Sequence, residues 1–393
     1  MLDRIQRSGV LSCVQPRVGS GLQGVPGQAV HPTPSVGRTG IDSAAVTTLE
    51  WLSLTLGFVI VVGTSISVIK TLVVPRRAWS FLPHVVESSL TWLFMTIARR
   101  MRSYDLIDRF LGFLGPLVLI LILLAWLATF VIGFALMLAP SAHDFPGALG
   151  QSGASTFTLG ITGAVAGAGT AISVAASATG LIVIALTIAY LPALYGVVRR
   201  RETLARQLGA HVGVQPWGPN VLVQHFGTGA LDRLPALYSD WDQWANEVAD
   251  GHTKYPVLNQ FRLPRARCHW LLSLVAVLDA AGLDVSLRPS VSAGEARLLL
   301  RSGTACTDDL ASSLGISGTL DQETVTEAEF AAAVATLTAA GYPVERSSGD
   351  AWPVFQEWRA RYSTTTNRLL DTIAAPPARW SGPRSLPTKR HPA

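Results

Sequence analysis

Charged residues make up only 15% of this 393-residue chain, against about a quarter in soluble proteins. The deficit is concentrated. Neither the segment from Leu111 to Pro140 nor the segment from Phe145 to Val198 holds a single Asp, Glu, Lys or Arg. After Arg199 the composition returns to that of an ordinary soluble domain. Cysteine is also scarce. Cys13, Cys268 and Cys306 are spread over separate regions, so neither a disulfide framework nor a thiolate metal cluster follows from them. His211, His225, His252 and His269 lack ligand spacing. No phosphate-cradling glycine loop, Ser-His-Asp order or nucleotide fingerprint is present. These absences argue against an enzyme, and no cofactor or metal is expected. No apolar run follows the early basic residues before Arg17, so the N-terminus does not read as a signal peptide.

The charge that is present is positive on balance, 31 Lys and Arg against 26 Asp and Glu, a net +5. It gathers beside apolar segments, at Arg76-Arg77, Arg99-Arg100-Met101-Arg102 and Arg199-Arg200-Arg201. Such clusters mark cytoplasmic membrane flanks. A basic stripe with interleaved aromatics, which a nucleic-acid partner would need, is missing. No nucleic acid is expected; the lipid bilayer is.

Residues 1–44, rich in Gly, Pro, Ser and Val and without periodicity, are expected to be disordered. The first transmembrane helix is expected at 51–74, long enough to cross a core of roughly 30 Å, with Lys70 snorkelling toward Arg76 and Arg77. It has no Arg at every third position and is no voltage sensor of the usual kind. Residues 79–100 carry His84, Glu87 and Pro83. A span there would put one basic cluster on the outer side, so an interfacial amphipathic helix is favoured over a crossing. A pore domain is expected over 106–200, with an outer helix at 111–139 and an inner helix at 173–197. Arg99–Arg102 and Arg199–Arg201 belong on one side, so the chain must cross out and back between them.

The strip between those two helices is uncharged and rich in Gly, Ala, Ser and Thr. It is too polar for a lipid-facing helix, and non-helical backbone survives at membrane depth only where protein or water covers it. A pore helix and filter are therefore expected over 145–163, the helix dipping in from outside and ending in the turn Thr158-Leu159-Gly160-Ile161-Thr162. A potassium filter needs backbone carbonyls facing an axis and a Thr hydroxyl at its inner end. Thr158 offers the hydroxyl, and Gly160 the freedom to adopt positive φ. The C-terminal end of the short helix would aim its negative dipole at a cation. The competing reading is a small-residue helix-packing segment. Gly180 and Pro192 are candidates for a gating hinge and a kink, with a plain packing role open for Gly180.

Outer helix, short helix, Thr-Leu-Gly turn and inner helix together resemble the two-helix pore unit of bacterial potassium channels. The stretch Ile188-Ala189-Tyr190-Leu191-Pro192-Ala193-Leu194-Tyr195 before Arg199-Arg200-Arg201-Glu202 is similar to a group of actinobacterial ion-channel-domain membrane proteins. So are Trp241-Asp242-Gln243-Trp244 and Tyr255-Pro256-Val257-Leu258 with Phe261. The resemblance covers residues 50–285 and implies passage of a monovalent cation, most simply potassium. One loop per chain implies a homotetramer around the axis. Laid on the potassium signature Thr-Val-Gly-Tyr-Gly, the chain has Leu159 for Val, Ile161 for Tyr and Thr162 for the second Gly, and no Asp follows. Thr162 lacks the freedom of glycine at an outer filter site, and the missing Tyr removes a brace behind the filter.

Residues 203–375 carry helical periodicity at Leu222–Phe226, Leu231–Val248, Trp270–Ala281, Ala296–Leu314 and Glu327–Ala340. Thr326 with Glu329 has the form of a capping box. An all-α cytoplasmic domain of about five to seven helices is expected from these runs, followed by a disordered tail at 376–393. The fold class is thus an all-α membrane protein: one extra span, a potassium-channel-like two-helix pore unit with a re-entrant loop, and an all-α soluble domain. Two functions fit, in a plasma membrane with the C-terminal domain cytoplasmic. One is a cation channel subunit. The other is a nonconducting channel-like scaffold or sensor with a cytoplasmic helical interaction domain.

Overall fold

The structure is a computed structural model and describes residues 40–74, 80–101, 103–142, 144–160, 167–213, 216–262, 269–316 and 325–381. It divides into two compact units, Met1–Thr48 and Leu49–Ala393. Of the expected disordered N-terminus, residues 1–39 lie outside the described residues and Gly40 onward is helical. The described chain is all-α, with no strand among the described residues.

Among the described residues six helices build the apolar part of the second unit, the first of them from Leu49 onward: α1 (Gly40–Leu72), α2 (Phe81–Ala98), α3 (Tyr104–Leu111), α4 (Leu114–Leu138), α5 (Phe145–Thr156) and α6 (Ala168–Val212). The outer helix expected at 111–139 is α4, and a short turn at Gly112-Phe113 separates it from α3. α6 runs well past the expected end at 197 and carries Pro192 within it. α1 crosses α4 where two glycines meet. A Cβ on Gly57 would come within 2.5 Å of the Gly133 carbonyl oxygen. Farther along, Trp126 donates its indole N–H to Ser67 Oγ (3.0 Å), and Ser67 is bonded to Ser80 just ahead of α2 (2.6 Å). α2 leans on α4 through Phe94 and Ala98 and stacks Phe94 on Phe110 of α3 at 4.6 Å.

Among the described residues seven helices follow: α7 (Gly218–Gly227), α8 (Leu234–Lys254), α9 (Trp270–Leu287), α10 (Gly294–Ser313), α11 (Glu327–Ala339), α12 (Ser348–Ala360) and α13 (Ser363–Thr372). α11 starts on the Thr326–Glu329 capping box. Packing runs on beyond the expected limit at 375. Trp380 is buried against Trp217 and Phe355, and its carbonyl accepts from Arg359 Nη2. Residues 382–393 lie outside the described residues.

Among the described residues, four helical segments are long and apolar enough to cross a membrane: Thr48–Leu72, Asp105–Ser141, Ala168–Val212 and Trp270–Leu287. In the first three most residues are not buried, and Leu52, Phe58, Ile120, Ile132, Leu181 and Ile188 are exposed. Trp270–Leu287 differs in kind. Every residue of α9 is buried inside the helical domain. Its two carboxylates are neutralised there: Asp279 by Arg359, with Tyr362 also donating (2.7 Å), and Asp284 by Arg288 (2.6 Å) and the Tyr342 hydroxyl (2.6 Å). A helix hydrophobic all round is buried, in a protein core or in lipid. The surrounding helices make α9 a core helix. Cys306 is also buried in this domain, and desolvation pushes its thiol up to about 12.

Candidate functional site

α5 is wedged between α4 and α6, which run in opposite directions: Gly115 and Tyr195 both touch the Phe261 ring at one end, while Val131 and Ser173 both meet α5 nearer the other. The sequence sets its start. Asp144 caps α5 by accepting the Gly147 backbone N–H (2.8 Å), and Pro146 stands in the first turn, where its missing donor costs nothing.

One face of α5 is buried, namely Ala148, Gln151, Ser152, Ser155 and Thr156, at helical spacing. Four of those five are polar. Gln151 Nε2 donates to Ser173 Oγ on α6 (3.3 Å), and Ser152 Oγ donates to the Val131 carbonyl on α4 (2.8 Å). Ser155 Oγ and Thr156 Oγ1 are buried and have no hydrogen-bond partner. Elsewhere in the hairpin Thr129, Thr179 and Thr187 bond back to the carbonyl four residues earlier. Unpaired hydroxyls in such a place cost about 1–3 kcal/mol each.

The helix ends at Gly180. A Cβ there would overlap the Thr156 carbonyl oxygen, so only glycine admits the approach. Gly180 lies about 18 Å along α6 from its first residue, at 1.5 Å per residue. That is near the middle of the uncharged stretch Ala168–Val198. The hinge candidates Gly180 and Pro192 both lie inside one continuous α6.

The turn after α5 is a Schellman motif. Leu159 N–H bonds the Ala154 carbonyl (2.8 Å), Thr158 N–H bonds the Ser155 carbonyl (2.9 Å), and Thr158 takes the left-handed position with φ 57°. Glycine is usual there, and a β-branched residue in that region is a backbone outlier. Gly160 follows at φ 109°. Thr158, Leu159 and Gly160 are exposed, Leu159 at 80%. Ile161 and Thr162, the other two expected filter residues, lie outside the described residues, which resume at Gly167 with φ 66°. Among the described residues no group of His, Cys, Asp and Glu could hold a metal ion.

A second polar centre, with no signature in the sequence, joins α6 to the helical domain. Arg199, Arg200 and Arg201 form one basic run, yet Arg201 is 2% exposed and its two neighbours face outward. The 100° step of the helix turns Arg201 inward. Its guanidinium pairs with Glu202 (2.9 Å), donates to the Leu258 (3.3 Å) and Phe261 (2.7 Å) carbonyls, and lies 4.8 Å over the Trp270 ring. Trp244 donates to the Arg201 carbonyl (3.0 Å). His252 receives Arg201 Nη1 at 3.3 Å. Burial and that cation push the His252 imidazole down to about 3. His269, stacked on Trp270, is held well below its usual value by burial and then by Arg262 and Arg201.

The clamped segment 255–262 includes a 3-10 turn at Pro256–Gln260. It reaches into the apolar part: Gln260 donates to Glu87 of α2 (3.2 Å), Arg262 pairs with Asp108 of α3 (3.4 Å), and Phe261 packs on Gly115 of α4. Tyr255, Leu258 and Phe261 are thus contacts between the apolar helices and the helical domain.

No protein-family model matches the chain, and neither a curated protein nor a solved structure matches it.

Proposed function

We propose that this chain is a subunit of a membrane cation channel, potassium-like in plan. Four copies surround one axis, and the backbone of Thr158–Thr162 lines the conducting path. α1, α4 and α6 cross the plasma membrane, α2 lies at its cytoplasmic face, and the helical domain is cytoplasmic. The basic residues at 99–102 and 199–201 support that orientation.

One observation carries the reading. The turn at Thr158–Gly160 is exposed, polar in its backbone and strained, and it stands beside the middle of the uncharged stretch of α6, Ala168–Val198. Lipid cannot hydrogen-bond such a turn, so protein or water must cover it. Four turns gathered on an axis cover one another and present carbonyls to a cation. Backbone strain also clusters at functional sites.

The second reading is a nonconducting scaffold or sensor. It draws on the departures from the potassium signature at Leu159, Ile161 and Thr162. Flux into liposomes holding the purified full chain separates the two. A channel gives potassium flux that exceeds sodium flux and is abolished by Gly160→Val. No flux of either ion in any gating condition leaves the scaffold.

A further inference from the structure

We propose that a groove at the cytoplasmic end of α6 is a binding site for a zwitterionic lipid headgroup that joins a phosphate to a primary ammonium, as in phosphatidylethanolamine. The inference rests on α6 crossing a bilayer and is independent of conduction.

The groove has a volume of about 540 Å³ and lies between α6 and α8. Its walls have opposite charge. Arg199, Arg200 and Thr203 of α6 form one wall; Asp240 and Glu247 of α8 stand on the other. No ion pair joins the two walls among the described residues. Glu247 is instead held by Gln243 Nε2 at 3.0 Å. Each wall therefore has charge left for a ligand.

Location selects a lipid over a soluble ligand. Arg199 is the first charged residue after the uncharged run that ends at Val198, which is the level of the headgroups if that run fills the hydrocarbon core. Gly196 stands at the groove's apolar end, and a Cβ there would meet nothing within 4 Å. The way from the acyl region is open along the same face of α6, past the exposed Ala189, Pro192 and Ala193. Basic pockets beside transmembrane helices on the cytoplasmic side hold lipid phosphates. Here the facing carboxylates add a second requirement. An anionic lipid would set its phosphate on the arginines but leave Asp240 and Glu247 without a cation. A choline lipid brings positive charge but no N–H donor. An ethanolamine headgroup satisfies both walls, phosphate to the arginines and ammonium to the carboxylates.

The test is native mass spectrometry of the full chain, delipidated in detergent and then offered phosphatidylethanolamine, phosphatidylglycerol and phosphatidylcholine with matched acyl chains. Phosphatidylethanolamine should be retained about tenfold better than either, the ratio expected for a difference of one good charged contact. Arg199→Ala with Arg200→Ala should lower that retention about tenfold. Asp240→Asn with Glu247→Gln should erase the preference over phosphatidylglycerol. Gly196→Leu, which fills the mouth from a position where a Cβ meets nothing within 4 Å, should block retention without lowering thermal stability. Equal retention of the three lipids, or indifference to Gly196→Leu, overturns the proposal. So does equal competition by soluble glycerophosphoethanolamine, which would make the ligand a free phosphate compound, or a cross-link showing a second copy seated in the groove. A chain that resists alkaline carbonate extraction yet shows no ethanolamine preference loses this proposal alone. A chain that washes off loses the membrane reading.

Discussion

Gly180 in α6 lies directly against the backbone carbonyl of Thr156 at the end of α5, leaving no room for a side chain between them. This contact fixes how far the short helix descends between its long neighbours. Gly180→Ala should lower stability by about 1–3 kcal/mol through overpacking. Gly196→Ala, in open space on the same helix, should instead raise it by up to about 1 kcal/mol, from helix propensity alone. Thermal unfolding of the full chain in detergent checks the pair, and two changes of the same sign would contradict the placement of α5.

Thr158 holds a left-handed backbone conformation at φ 57° that glycine adopts at no steric cost. Thr158→Gly should therefore hold or raise stability, by up to about 1 kcal/mol. If the hydroxyl serves the ion path, the same variant should lower the potassium-to-sodium flux ratio in liposomes. Greater stability with an unchanged ratio would make Thr158 a strained turn residue and nothing more.

Arg201 and Glu202 form a buried pair whose side chains are 1% and 10% exposed. Removing one partner strands the other charge. Arg201→Met should cost about 3–5 kcal/mol, and adding Glu202→Gln should recover part of it. Chemical denaturation of the two variants measures both steps. An additive double variant would show that the ion pair is not the source of the loss.

His252 stays neutral in the folded protein down to about pH 3, whereas an unfolded histidine takes up a proton near pH 6.5. Below pH 6.5 the unfolded chain thus binds more protons, and stability falls as pH falls toward 3, by up to about 1.4 kcal/mol per unit from this residue. His252→Gln keeps an acceptor for Arg201 and removes the titration. Thermal midpoints at pH 7.5 and 5.5 should lie closer together in that variant than in the parent chain; an equal spacing would assign the pH dependence to other groups.

Much of the architecture is legible in the residues. The uncharged runs locate α4 and α6, the Asp144-Phe145-Pro146 step starts α5, and Thr326 with Glu329 opens α11. Other features are hidden for physical reasons. Hydropathy ends the inner helix at Val197, but hydropathy reports burial in lipid and not hydrogen bonding, so α6 continues to Val212. α12 escapes periodicity because Pro353 sits inside it. α9 matches a membrane span in length and composition, and only its neighbours distinguish a buried core helix from a lipid-facing one. Arg201 looks like its two neighbours in sequence; its inward direction is a property of the α6 register against α8 and α9. At the candidate site, the polar face of α5 and the role of Gly180 as a close contact both need the third dimension.

In the proposed channel the strip between α4 and α6 enters and leaves on the same side of a bilayer. Single cysteines introduced into a cysteine-free background at Ala142, Thr170 and Arg206, with a membrane-impermeant thiol reagent applied to one face of the reconstituted full chain, test it directly. Positions 142 and 170 should react from the same face and position 206 only from the other. Reaction of 142 and 170 from opposite faces would mean that α5 crosses the membrane, and the proposed pore would be contradicted.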